Sequence, residues 1–149
     1  MYQNDRNAQT FSSQKKTKPA VLNETNYVDL AEQAIKTLSE RTDRNGRKIN
    51  VVTTSKIRNL LAMVTDIYND VAESNTQELT EELLGRINYF KIRMIYESGR
   101  DKDVDAFIKE TCLLEHLKDI KKSRKQFIRF SRYMEALVAY HRYYGGKDM

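Results

Sequence analysis

A chain of 149 residues, 40% hydrophobic and 32% charged, has the size and composition of one domain with one modest core. No apolar run approaches the ~20 residues of a membrane span, and the start MYQNDRNAQTFSSQKK lacks the apolar centre of a secretory signal. The lone Cys112 cannot close an internal disulfide, so a cytoplasmic protein without membrane contact is expected. Of the net charge of +5, Arg6, Lys15, Lys16 and Lys18 against Asp5 supply +3 within residues 1–22, which leaves +2 for the remainder. A polyanionic partner must therefore be argued from where the cations sit rather than from their number.

Residues 1–22 are rich in Gln, Asn, Ser, Thr and Lys and hold the only proline, Pro19, so they read as a disordered polar tail. From there, apolar spacing near 3.6 with almost no alternation predicts one all-α domain over 23–149, a compact bundle of about five helices. The first helix is predicted from Tyr27 to Arg41, opened by Asn26 and burying Tyr27, Leu30, Ala31, Ala34, Ile35 and Leu38. A polar link with an Asn45-Gly46 turn leads through Val51 and Val52 to the Thr53-Thr54-Ser55 cap cluster of a second helix, which runs to about Glu73. Ile57, Leu60, Leu61, Val64, Ile67, Tyr68 and Val71 form its inner stripe.

The third helix begins after Thr80 with Glu81 and Glu82, buries Leu83, Ile87, Phe90 and Met94, and is predicted to end at Gly99. Asp101 caps a fourth helix using Val104, Phe107 and Ile108, and the segment around Leu113, Leu114, Leu117 and Ile120 is ambiguous, a separate short helix being one reading of it. The last helix sorts its residues most sharply: Phe127, Phe130, Met134, Leu137, His141 and Tyr144 share one stripe, with Lys125, Arg129 and Arg132 opposite. Ser123 with Gln126 predicts a capping box, and Gly145-Gly146 a left-handed stop.

No catalytic or metal constellation emerges. Cys112 and His116 are spaced to meet on one helical face, but no orienting group or oxyanion loop accompanies them, and one Cys with two His falls short of a zinc site. They are expected to be a satisfied structural pair, and His141 a hydrogen-bonded core histidine. There is no phosphate-binding glycine loop and no His-Glu-x-x-His motif, and Glu81, Glu82 and Asp101 sit where helix starts attract acids. No enzyme, metal or cofactor is predicted.

The cations carry more information. Arg86, Arg93 and Arg100 are seven residues apart and drift only about 20° per step, so they form one stripe. Lys91 lies on an adjacent flank, and Lys56 and Arg58 stand in the first turn of the second helix, where unpaired N–H groups also favour phosphate. The competing reading is a solvated face, with Glu82 and Glu97 paired to Arg86 and Arg93 along the helix. Tyr89, Tyr96, Tyr133, Tyr140, Tyr143 and Tyr144 stand beside basic residues and suit base stacking, but bundle packing is the preferred expectation.

The segments YVDLAEQAI (27–35), TTSKIRNLLAMVTDIYNDV (53–71), INYFKIRMIYESGRDKDVDAFI (87–108) and FSRYMEALVAYHRYYGGKD (130–148) resemble the small helical subunit of the type III-A CRISPR effector, the Csm complex. The resemblance spans Asn26 to Asp148 and excludes the tail. It implies a non-catalytic subunit that lines up in several copies along larger backbone subunits holding a guide RNA, with target and DNA cleavage belonging to the backbone and large subunits. It also implies contact between small-subunit cations and the sugar-phosphate backbone of the guide RNA–target RNA duplex, which carries over to Lys56 and Arg58 in TSKIR, Lys91 and Arg93 in KIR, and Arg100 in SGRD. Partners implied are guide and target RNA, the backbone and large subunits, and further copies of the chain. A protein–protein adaptor that never touches RNA is the alternative of a different class.

Overall fold

A computed structural model describes residues 18–49 and 52–146, in which six helices account for about 70% of the residues. They are α1 (Tyr27–Ser39), α2 (Thr54–Glu73), α3 (Glu81–Arg100), α4 (Lys102–Thr111), α5 (Leu113–Lys118) and α6 (Arg124–Tyr143). Among the described residues there are no strands, only two isolated bridges, Thr42 with Lys48 and Glu78 with Ser123. The all-helical prediction holds, and the short helix around Leu113 is a separate element.

The core forms around α6, which packs against α1 and α2. Phe127, Phe130, Met134 and Leu137 are each 1% exposed or less, as their shared stripe requires, and Phe130 meets Phe90 of α3 edge-on at 6.3 Å. The inner stripes of α1 and α2 are buried as predicted at Ala31, Ala34, Ile35 and Leu38 and at Ile57, Leu60, Val64, Ile67 and Val71. Tyr27, Leu30, Leu61 and Tyr68 pack only partly against them.

Polar groups in this core are mostly paired. Tyr133 donates its hydroxyl to Thr111 O at 2.7 Å, and burial pushes its ionisation well above the usual tyrosine range. His141 bonds Val52 O through Nε2 at 2.9 Å and the Thr54 hydroxyl through Nδ1 at 3.1 Å, so the expected core histidine is present. With the carbonyl fixing Nε2 as donor, Nδ1 accepts from Thr54 in the neutral ring. Beyond it, Gly145 adopts φ +91, the left-handed stop predicted for the helix end. Gly146 folds back so closely that a Cβ there would lie 2.1 Å from the His141 ring.

Several local expectations give way to tertiary contacts. Of the predicted tail, residues 1–17 lie outside the described residues, but Leu22 is 1% exposed, so the core extends to the last residue assigned to that tail. Gln126 N bonds Ser123 Oγ at 3.1 Å, half of the capping box; its side chain instead donates to Leu22 O at 2.8 Å and anchors this entry segment. Asn26 makes no side-chain cap on α1, because its side chain turns back, Oδ1 accepting from Asn23 N at 2.8 Å and Nδ2 donating to Val21 O at 2.9 Å. The helix ends at Ser39 rather than Arg41.

Gly99 does not end α3, which continues to Arg100. The break is set by Asp101, whose Oδ1 accepts from Asp103 N at 2.9 Å and Val104 N at 3.3 Å and caps α4. Cys112 is left-handed, with φ 56, so it stands at the joint between α4 and α5 instead of sharing a helical face with His116. His116 is 2% exposed against the Tyr133 ring at 5.0 Å, and its Nδ1 has no hydrogen-bond partner among the described residues, so this histidine is not the satisfied one expected.

Asp101→Ala should cost about 1 kcal/mol of stability in urea unfolding, while Asp101→Ser, which keeps a capping oxygen, should retain most of it. Burial holds the His116 imidazole below its ordinary 6.5, against the opposing pull of Asp119 and Glu115. Below about pH 6.5 the unfolded chain therefore binds a proton that the folded chain refuses, and stability falls as the pH drops toward the folded value. Urea midpoints should be level from about pH 7 to 8 and lower at about pH 5.5, with His116→Phe losing part of that drop.

Candidate nucleic-acid interface

The cation sites are positioned by two helix starts and one helix end. Thr53 caps α2 by accepting from Lys56 N at 3.3 Å, which fixes the first turn and the outward projection of Lys56. Arg93 and Arg100 stand two turns apart on α3, on the side facing α2. Lys56, Asn59, Leu60 and Met63 from α2 and Arg93, Glu97 and Arg100 from α3 line a cleft of about 520 Å³, closed at one end by Asp101 and Val104. Its floor is apolar at Leu60 and Val104, which are 3% and 4% exposed, and its rim is charged.

The rim is not a bare positive surface. Glu97 takes Arg93 at 3.0 Å and Arg100 at 3.8 Å on its two oxygens, and Lys56 pairs with Asp101. Three cations against two carboxylates leave the cleft at +1. The hydrogen bond from Lys56 holds the Asp101 carboxyl below its usual range, and the same bond raises the ammonium, so both stay ionised near neutral pH. These side chains remain 35% exposed at Arg93, 44% at Lys56 and 62% at Arg100, so a phosphate can replace or join the carboxylates without crossing a closed wall.

The sequence-predicted cations divide. Lys56, Arg93 and Arg100 converge on the cleft, while Arg58 is exposed elsewhere on α2 and does not line it. Lys91 borders a different hollow of about 460 Å³ with Ile108, Lys109, Leu114, Glu115 and Lys118, because residues two apart point nearly opposite ways on a helix. Arg86 leaves the stripe for a reason invisible in α3 alone: it pairs with Asp70 of α2 rather than with Glu82. The predicted Arg93–Glu97 pair does form.

Sequence reasoning named Glu97 and Asp101 but missed the pairing of Asp101 with Lys56 and the neutral cleft member Asn59. A spacing of three from Lys56 places Asn59 on the same side of α2, so that residue was findable. It also passed over Lys121 and Lys122, which with Lys125 stand exposed around a hollow of about 660 Å³ before and within the start of α6. The run KKSRK was its signal, but Arg124 in that run turns inward to the α2 carbonyls of Val71, at 3.1 Å, and Ala72, at 3.4 Å.

The tyrosines also divide, and packing accounts for only some of them. Tyr133 is buried and Tyr140 and Tyr144 are half-buried, but Tyr89, Tyr96 and Tyr143 are 62%, 54% and 78% exposed, contrary to the packing expectation. Tyr144 donates to Glu32 at 2.5 Å, a bond that ties α1 to the end of α6 and pushes its hydroxyl up to about 12. No group of three or more His, Cys, Asp or Glu side chains that could hold a metal occurs among the described residues, and no helix there is long and apolar enough to cross a membrane.

Comparison with known proteins gives this arrangement a context. The Csm2 type III-A family model matches residues 32–147. A "CRISPR system Cms protein Csm2" from Streptococcus thermophilus is 40% identical over 129 residues, covering 87% of this chain and 99% of that protein. Proteins of the same name from Enterococcus italicus and Mycobacterium tuberculosis are 38% and 37% identical, covering 68% and 65% of this chain and 77% and 78% of theirs. A helical bundle with Lys56, Arg93 and Arg100 gathered in one cleft, matched over most of its length, this chain belongs to the Csm2 family of type III-A CRISPR systems.

Proposed function

We propose that this chain is the non-catalytic small subunit of the type III-A Csm ribonucleoprotein, lining up in several copies and holding the backbone of the guide RNA–target RNA duplex in the cytoplasm. The observation that carries this reading is the convergence of Lys56, Arg93 and Arg100, from two helices, on one open cleft with an apolar floor. Guide pairing supplies sequence specificity in such a particle, so its small subunit needs charge at phosphate spacing and no base-edge code. A cleft of only +1 binds weakly by itself, and repeated copies on one RNA add their contacts through effective concentration. Arg58 and Lys91, on other faces, are assigned to the neighbouring strand or subunit in the same assembly.

The protein adaptor is the second reading, and a specific observation favours it: Ile92 and Ile95 are 60% and 50% exposed on α3, and the nearby cations already have carboxylate partners. Salt dependence separates the two. Under the RNA reading, combining Lys56→Ala, Arg93→Ala and Arg100→Ala should lower the slope of log affinity against log salt by about 2 without unfolding the protein. An unchanged slope would remove the phosphate role and leave the adaptor. Glu97→Gln, which releases Arg93 and Arg100 from their shared carboxylate, should strengthen RNA binding several-fold at low salt; weaker binding would count against the cleft.

A further inference from the structure

The sequence of α3 repeats Arg-x-x-Tyr at a spacing of seven residues, as Arg86-x-x-Tyr89 and Arg93-x-x-Tyr96, with Arg100 beginning a third unit. Each repeat advances about 10.5 Å along a helix and drifts little around it, so the tyrosines form a row beside the arginines. The bundle does not use this row: Tyr89 and Tyr96 are 62% and 54% exposed, on the side of α3 away from the buried Leu83, Ile87, Phe90 and Met94. Tyr96 is nonetheless held in place, with the Arg93 guanidinium 5.2 Å and the Arg100 guanidinium 5.7 Å from its ring centre. Two guanidinium groups hold the ring while the residue as a whole keeps about half of its surface in water.

We propose that Tyr96 is a stacking shelf for an unpaired RNA base whose flanking phosphates are held by Arg93 and Arg100. The inference rests on the RNA reading above and deepens it: the cations that hold the duplex backbone would also hold the phosphates on either side of a nucleotide left unpaired beside that duplex. A base inside a duplex has both faces covered by its neighbours and cannot reach a ring on a helix surface, whereas an unpaired base brings a free π-face at no unstacking cost. Aromatic rings interleaved with cations are the combination that single strands select, sequence-tolerantly, because every base offers such a face. A second copy of α3 docked by twofold symmetry is disfavoured on the same surface, because it would bring Arg93 and Arg100 of one chain against the like charges of the other.

The chain contains no tryptophan, so Tyr96→Trp installs a unique fluorophore at an exposed position with little consequence for the fold. The full chain carrying this change is titrated with a 20-nucleotide single-stranded oligoribonucleotide of mixed sequence, and separately with the same strand fully paired. The expected result is strong quenching by the single strand and little by the duplex. In the otherwise unaltered chain, Tyr96→Phe should bind the single strand as before, and Tyr96→Leu about ten-fold more weakly, with the salt slope unchanged. Saturated binding of the single strand without quenching overturns the shelf while leaving the phosphate reading intact. Quenching that persists while Lys56→Ala, Arg93→Ala and Arg100→Ala leave the salt slope unchanged overturns the phosphate reading, and with it the flanking roles of Arg93 and Arg100. A blue shift that grows with protein concentration in the absence of RNA shows that another copy covers the ring, and overturns the shelf. Failure of the unaltered chain to bind either probe overturns both.

Discussion

Burial of the α6 apolar stripe is the constraint on which the other placements depend. Phe127, Phe130, Met134 and Leu137 lose essentially all contact with water, and α1 and α2 are located by packing against them. Burying each such side chain contributes about 1.5–3 kcal/mol before entropy is counted, so no surface pair in this molecule competes with it. The polar devices around α6 follow from that packing: Gln126 ties down Leu22, Tyr133 reaches Thr111, and His141 joins Val52 and Thr54 at the start of α2. Through Thr54 the central helix also sets the height of the turn that carries Lys56.

The cleft inherits its geometry from this core and its modest charge from local acids. Asp101 terminates α3, caps α4 and pairs with Lys56, while Glu97 shares its two oxygens between Arg93 and Arg100. Such partly exposed pairs add little to stability, median values being about 0–1 kcal/mol, and their effect here is to orient the cations. Ordered cations lose less side-chain entropy when a phosphate arrives, at the cost of a carboxylate that must be displaced or shared. Under the proposed function such sites would be weak singly and strong only in an array.

Exposed aromatic and aliphatic groups on α3 mark the side of the molecule that the bundle itself leaves uncovered. Buried and exposed residues alternate along this helix with a helical period, so the outer row of Tyr89, Ile92 and Tyr96 is as regular as the inner row of Leu83, Ile87 and Phe90. The described residues leave this row uncovered, and the guanidinium groups resting on Tyr96 would favour an anionic ligand there.

The sequence by itself determined the helices, their buried faces and most of their ends. Hydrophobic period and capping chemistry are local, and Thr53, Thr80, Asp101, Ser123 and Gly145 act within a few residues of themselves. It also supplied the candidate cations, because charge and helical angle are legible in one dimension. Tertiary structure alone decided which of them meet: Lys56 joins Arg93 and Arg100 because α2 lies against α3, Arg86 turns to Asp70 across the same contact, and Lys91 falls on the far flank. Gln126 abandoned its local cap for Leu22, and three tyrosines were left in solvent, for the same reason. Partners more than a hundred residues apart are set by how the helices cross, and helical periodicity carries no record of that crossing.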